Sequence, residues 1–316
     1  MRASQKRKTI SKPQILTLNY YVMKKIISMP LLAMCVVTMS CTSDLPEKQN
    51  GADGVSIEEA ETVPITFACN GFEMDQRAMT RGELSADGNA MTDLWVLDYK
   101  DGALIQQLHQ SSSDADFAEP TMNLAVGDHH VYFVASRGQS PTLNTEAHTI
   151  SFSKVLDTFY KDYSVNISAT SAGSHSVTLD RCVTRLKLQF LDAIPEGAAT
   201  FHVTPHTWYF SLDYLTGNPA IATTDGTTTI TIPASSIGKT DQYLNLFGFS
   251  SATEWTTDIA FDCKASDNSI LGQATITDAP LKRNRITSFS GPLFSGQSAM
   301  ALALSSDWLT SYEATW

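Results

Sequence analysis

The chain has 316 residues and sets 22 Lys and Arg against 33 Asp and Glu, a net charge of −11. That balance excludes a nucleic-acid partner, because phosphate contacts need concentrated Lys and Arg. Residues 1–40 carry seven of the bases and no acid, so beyond them 15 bases face 33 acids, a net charge of −18 that suits a soluble exterior rather than a face lying on an anionic bilayer.

In chain order, residues 1–22 hold Arg2, Lys6, Arg7, Lys8 and Lys12 ahead of Met23, and read as an over-extended start. Met23 is followed by Lys24 and Lys25, an apolar stretch to Met39, the small residue Ser40 and then Cys41. Two positive charges, a short apolar run and a small residue before a cysteine describe an export signal over 23–40 that ends at a lipidated Cys41. Thr38 stands where Leu or Val is commoner, and an ordinary cleaved signal and a membrane anchor or buried helix remain the alternatives. A spanning helix needs about 20 apolar residues, more than this segment offers. Residues 41–60 mix Pro, Gly, Asn, Asp and Glu and read as a flexible tether.

The rest of the chain alternates apolar and polar residues in short segments at 65–69, 94–99, 130–135, 163–167, 176–179, 185–190, 201–203, 208–212, 227–232, 243–247, 258–264, 273–277, 285–289 and 299–304. Thr, Val, Ile, Phe and Tyr dominate them and Gly, Asn, Asp and Pro separate them, which is strand and turn chemistry. One helix is expected, over 152–160, where Val155, Leu156 and Phe159 would share a face. Many short strands with irregular connections predict an all-β chain of sandwiches rather than a parallel α/β sheet. A weak internal echo between Gly127-Asp-His-His-Val-Tyr-Phe-Val-Ala-Ser136 and Thr240-Asp-Gln-Tyr-Leu-Asn-Leu-Phe-Gly-Phe249 supports two units, 61–180 and 181–316.

Strand parity places Cys69 with Ile65 and Phe67, Cys182 with Leu186, Leu188 and Phe190, and Cys263 with Ile259 and Phe261, so each falls on a core face; a single disulfide is the competing reading. No Cys-x-x-Cys, His-Glu-x-x-His, Gly-x-Ser-x-Gly or phosphate-binding glycine loop occurs, and neither a cofactor, a metal nor a catalytic set is expected. His129 and His130 are adjacent and point to opposite faces of a strand. Pro205 breaks any helical register between His202 and His206. Trp95, Trp208, Trp255 and Trp308 could instead build an aromatic platform, which would make the chain a stand-alone surface lipoprotein binding glycan or protein.

Several segments in fixed order carry a family resemblance. They are the signal, Val63-Pro-Ile-Thr-Phe-Ala-Cys-Asn70, Met79-Thr-Arg81-Gly82, Val131-Tyr-Phe-Val-Ala135, Leu179-Asp-Arg-Cys-Val-Thr-Arg-Leu-Lys-Leu188, Ala279-Pro-Leu-Lys-Arg-Asn284 and Phe289-Ser-Gly-Pro-Leu-Phe294. With them the chain resembles the fimbrillin-like (Mfa-like or FimA-like) lipoproteins of Bacteroidetes, the subunits of type V pili. The resemblance implies two transthyretin-like β-sandwich domains in tandem and export as an acylated precursor to the cell outer membrane by the lipoprotein processing machinery. It also implies a cut by an Arg-specific protease after the first strand, at Arg81 or Arg77, and assembly with other fimbrillin-type subunits through an exchanged strand. The donor would come from the C-terminus, where Met300, Leu302 and Leu304 share a strand face; packing within its own domain is the alternative.

Overall fold

A computed structural model describes residues 61–71 and 91–296 together with the backbone of Ala301–Ser305, all within one compact unit, Ile57–Trp316. The export signal, Cys41 and the tether lie outside the described residues, as do Arg77, Arg81, Met300 and Trp308.

The first half of the chain forms β1 (Thr62–Asn70), β2 (Asp93–Lys100), β3 (Ala103–Ser111), β4 (Thr121–Ala125), β5 (Gly127–Ser136), β6 (Thr142–Asn144), β7 (Thr149–Ser151), β8 (Thr158–Ile167), β9 (Gly173–Thr178) and β10 (Asp180–Arg181). The second forms β11 (Val183–Phe190), β12 (Ala198–Pro205), β13 (Thr207–Tyr209), β14 (Ser211–Asp213), β15 (Asn218–Pro219), β16 (Ala222–Thr224), β17 (Thr228–Thr231), β18 (Gln242–Phe249), β19 (Trp255–Ala265), β20 (Ile270–Leu281), β21 (Ile286–Gly291) and β22 (Ala301–Ser305). A single 3-10 turn at Ala234–Ser236 is the helical element among the described residues.

A sheet ordered β4-β1-β9 and a sheet ordered β10-β8-β5-β2-β3 enclose one core, which includes Ile65, Phe67, Leu94, Val96, Leu124 and Phe133. Sheets ordered β18-β11-β21-β22 and β17-β12-β19-β20 enclose a second, around Leu188, Phe190, Phe201, Trp208 and Phe261. The alternation seen in sequence is the cause, since successive side chains of a strand point to opposite faces and the apolar set is driven inward. The chain passes from one sandwich-like arrangement to the other between Arg181, still paired with Phe159 of β8, and Val183, paired with Phe249 of β18.

Both halves share a pairing rule. β1 runs antiparallel to β4 and parallel to β9, and β11 runs antiparallel to β18 and parallel to β21. The expected echo between β5 and β18 does not match this symmetry. β5 is the middle strand of five, whereas β18 is an edge.

The halves are also built into each other. A four-stranded sheet, β15-β14-β7-β6, takes two strands from each, and a third cluster mixes Leu97, Tyr99, Phe152 and Val155 with Val183, Leu212, Tyr214 and Phe249. This explains two departures from expectation. The helix over 152–160 is absent: the chain is irregular to Asp157 and β8 begins at Thr158. Phe152 and Val155 enter the shared cluster while Phe159 enters the first core, so the apolar residues serve two cores and not one helical face. The segment 208–212 is likewise not one strand, because β13 pairs with β16 while β14 pairs with β7 and β15.

Candidate assembly site

Strand β1 carries Val63, Ile65, Phe67 and Cys69 inward, with Ile65 and Phe67 fully buried. Phe67 meets Phe133 edge-on at 5.2 Å between ring centres and Tyr163 at 6.1 Å. Burying Val63, Ile65 and Phe67 is worth about 5–9 kcal/mol together.

The strand is hydrogen-bonded on both sides. Thr62 to Thr66 face Ala125 to Thr121 of β4, and Ile65 to Asn70 face Gly173 to Thr178 of β9. Beyond the ladder, Phe67 N donates to Pro120 O at 2.9 Å and Cys69 N to Ala118 O at 2.8 Å. Thr178 Oγ1 donates to Asn70 Oδ1 at 2.6 Å, and Asn70 Nδ2 donates to Ser176 Oγ at 2.9 Å. Immediately afterwards Gly71, at φ +88°, sits where a Cβ would lie 2.6 Å from Leu179 O, so the exit from β1 requires glycine. Taking β1 away would thus leave two unpaired strand edges, β4 and β9, flanking a trough floored by Phe133, Leu94 and Val96.

At the other end of the chain, Asp192 holds the turn that launches the C-terminal segment. Its carboxylate accepts from Leu293 N at 3.0 Å, Phe294 N at 2.6 Å and Ser295 N at 3.0 Å. β22 then adds to the edge of β21, with Ser305 opposite Ile286, Leu304 opposite Thr287 and Leu302 opposite Phe289. Of the expected site residues, Leu302 and Leu304 are therefore placed, on a sheet edge of the second half and away from the sheet that holds β1.

Two of the segments that carry the resemblance, around Arg181 and around Asn284, meet at the junction of the halves. Arg181 is 4% exposed and donates from Nε and Nη2 to Asp157 at 2.6 and 2.9 Å. Its Nη1 reaches Asn284 Oδ1 at 3.2 Å, and its guanidinium lies 4.7 Å from the Phe159 ring centre. Arg137 Nη2 also donates to Asp157, at 2.9 Å, so one buried carboxylate joins two arginines. Arg283 donates from Nε to Ser250 O at 2.9 Å and from Nη2 to Gly217 O. Of these contacts Arg181 to Asn284 crosses between the halves, while Arg283 ties segments of the second half to one another.

The three described cysteines are buried and free, one in each apolar cluster: Cys69 in the first core, Cys263 in the second and Cys182 between them. Burial pushes each thiol up to about 12. His129, buried in β5, contacts Asp98 Oδ1 at 2.6 Å and Ala125 O at 2.8 Å, and so serves the sheet. No cluster of three metal-ligating side chains forms among the described residues. The described tryptophans, Trp95, Trp208 and Trp255, do not form a platform among themselves. Trp208 is fully buried with Nε1 donating to Phe247 O, Trp255 packs 6.4 Å from it, and Trp95 stacks on His109 in the other half.

A cleft of about 700 Å³ opens where the irregular segment before β8 meets the edges of β17 and β18. Phe152, Lys154, Phe210, Thr229, Asn245 and Phe247 are among its walls. Nothing in the sequence announced it, because its walls come from segments about 90 residues apart.

No family model matches the chain, and no curated protein does. Solved structures similar to it include the tip fimbrial protein Mfa3 of Porphyromonas gingivalis with C-terminal truncation, at 11% identity and a TM-score of 0.43 over 78% of this chain and 100% of that one. Another is a fimbrial assembly protein of Parabacteroides distasonis, at 10% identity and a TM-score of 0.44 over 77% of this chain and 95% of that one.

Proposed function

We propose that this protein is a non-enzymatic surface subunit of a pilus, built by strand exchange and tethered during export through a lipid on Cys41. The observation that carries the reading is the position of β1 as the middle strand of a three-stranded sheet, with two ladders and a buried apolar face. A cut at Arg81, or at Arg77, would separate β1 from the chain that continues at β2. The strand would then be held by non-covalent contacts alone, and a neighbour's strand could replace it, gaining the backbone bonds of β4 and β9 and the pockets of Val63, Ile65 and Phe67. The donor would be the C-terminal strand with Met300, Leu302 and Leu304. Cleavage would release the lipid, the tether and β1 together, which couples detachment from the outer membrane to readiness for assembly. Without cleavage, Cys41 would remain a permanent anchor. The partners are other fimbrillin-type subunits, the lipoprotein processing machinery and an Arg-specific protease, with no nucleic acid and no cofactor.

The test is purification of surface filaments followed by N-terminal sequencing of the subunit. Chains beginning at Gly82 or Ala78 within detergent-resistant ladders are expected. Acylated monomer beginning at Cys41 and nothing else would rule out a shaft subunit.

A further inference from the structure

We infer that the cleft of about 700 Å³ is a docking slot for one extended peptide segment of a partner protein, which adds as a strand to the open edge of β17. β17 is the last strand of its sheet and pairs with β12 alone. Just past the ladder, Ile232 N donates to Ala199 O at 2.9 Å, and in an antiparallel pair the hydrogen-bonded positions alternate. Ile230 and Thr228 therefore exchange bonds with Phe201 and Val203, while Thr229 and Thr231 turn their N–H and C=O groups away from β12. Gly226 to Thr231 line the cleft as six consecutive residues. Side chains of a strand alternate between faces, so an unbroken run means that the edge of β17 looks into the cleft.

This edge is also unguarded. β17 carries no charge and no proline and pairs with β12 in unbroken register. β20, the opposite edge of the same sheet, shifts register twice against β19 and carries Asp278 and Pro280. Bulges, charges and prolines are the devices that keep a strand edge from capturing another chain, and β17 lacks all three. The walls select the occupant. Outward N–H and C=O groups two residues apart, at about 6.8 Å, match the repeat of another strand. Phe152, Val155 and Phe210 make part of the wall apolar and no Asp or Glu lines the cleft, which suits an uncharged segment with apolar side chains at alternate positions. Because the edge is recessed among these walls, the equally recessed β17 of a second copy cannot reach it, whereas a single extended segment can. Lys154, Asn245 and Phe247 also line the cleft but hold contacts of their own and form no part of the site. The slot lies in the second half, so its occupancy does not depend on strand exchange at β1.

The test uses the whole chain with β1 in place and a capped hexapeptide of alternating Thr and Val. At saturation the peptide should slow amide exchange at Thr229 and Thr231 by about tenfold and leave β4 unchanged. The same peptide N-methylated at every residue keeps its side chains, loses its donors and should give no protection. Thr229→Pro deletes an N–H that β12 does not use and should abolish binding, while Thr229→Val keeps the backbone and should retain it. Circular dichroism checks that both variants fold, and the N-methylated peptide supplies the same answer without any variant. Equal protection by the plain and N-methylated peptides, or none by either, would overturn the docking. Protection by maltohexaose and not by the peptide would assign the cleft to a glycan, and protection that grows with protein concentration alone would assign it to a second copy; either result overturns the peptide reading.

Discussion

Asp157 shows how much one side chain can carry. It is 1% exposed and joins Arg181 and Arg137, so removing it leaves two guanidinium groups without their carboxylate at the junction of the halves. Asp157→Ala should cost about 3–5 kcal/mol in denaturant unfolding. Lys161→Ala, which breaks the exposed contact with Asp180, should cost under about 1 kcal/mol. The buried thiols give a second residue-scale expectation. Cys182 is raised to about 12 in the folded chain, whereas an unfolded cysteine titrates near about 8.5. The folded state therefore holds its proton where the unfolded state has lost it, and stability present below about pH 8.5 declines as pH rises toward 12. Cys182 alone should remove about 2 kcal/mol by pH 10. Unfolding at pH 7 and pH 10 measures this, and Cys182→Ala should shrink the difference by about that amount, leaving the share of Cys69 and Cys263.

Among elements, β1 is the one whose loss changes what the molecule can bind. Phe67→Ala should destabilise by about 3–5 kcal/mol and Ile65→Val by about 0.5–1.5, since both side chains are fully buried. If the trough is an acceptor, a chain nicked between β1 and β2 and stripped of β1 should take up a synthetic peptide of Thr62–Asn70. A peptide with Ile65→Asp and Phe67→Asp should not bind. Native mass spectrometry reads both, and equal binding by the two peptides would refute side-chain recognition. β3 shows what sequence conceals at this scale. Ala103-Leu-Ile-Gln-Gln-Leu-His-Gln-Ser111 has one fully buried residue, Gln110, because it is an edge strand, so the apolar alternation that reveals central strands is diluted.

For the whole molecule, the mixed β15-β14-β7-β6 sheet and the shared cluster predict that the two halves unfold together. A single transition should appear by fluorescence and by circular dichroism. Leu212→Ala, in the shared cluster, should cost about 2–5 kcal/mol, read as a shift of the denaturant midpoint. Two separate transitions in the unmodified protein would contradict the coupling. The buried Tyr99–Tyr214 hydroxyl contact at 2.9 Å spans the same junction, and burial with that hydrogen bond raises the Tyr214 hydroxyl above its ordinary value.

The sequence alone determined the β class, the inward face of most strands and the core side of all three described cysteines. Each is a local property: a period of two and a preference for burying apolar side chains are written residue by residue. It also marked the segments around Arg181 and Arg283 without saying why they matter. Only the tertiary structure showed that they close on Asp157, Asn284, Ser250 and Gly217, that Phe152 and Phe159 enter different cores, and that β1 lies between β4 and β9. Those features depend on which distant strands pair, and pairing follows from the joint packing of several faces that no single segment encodes.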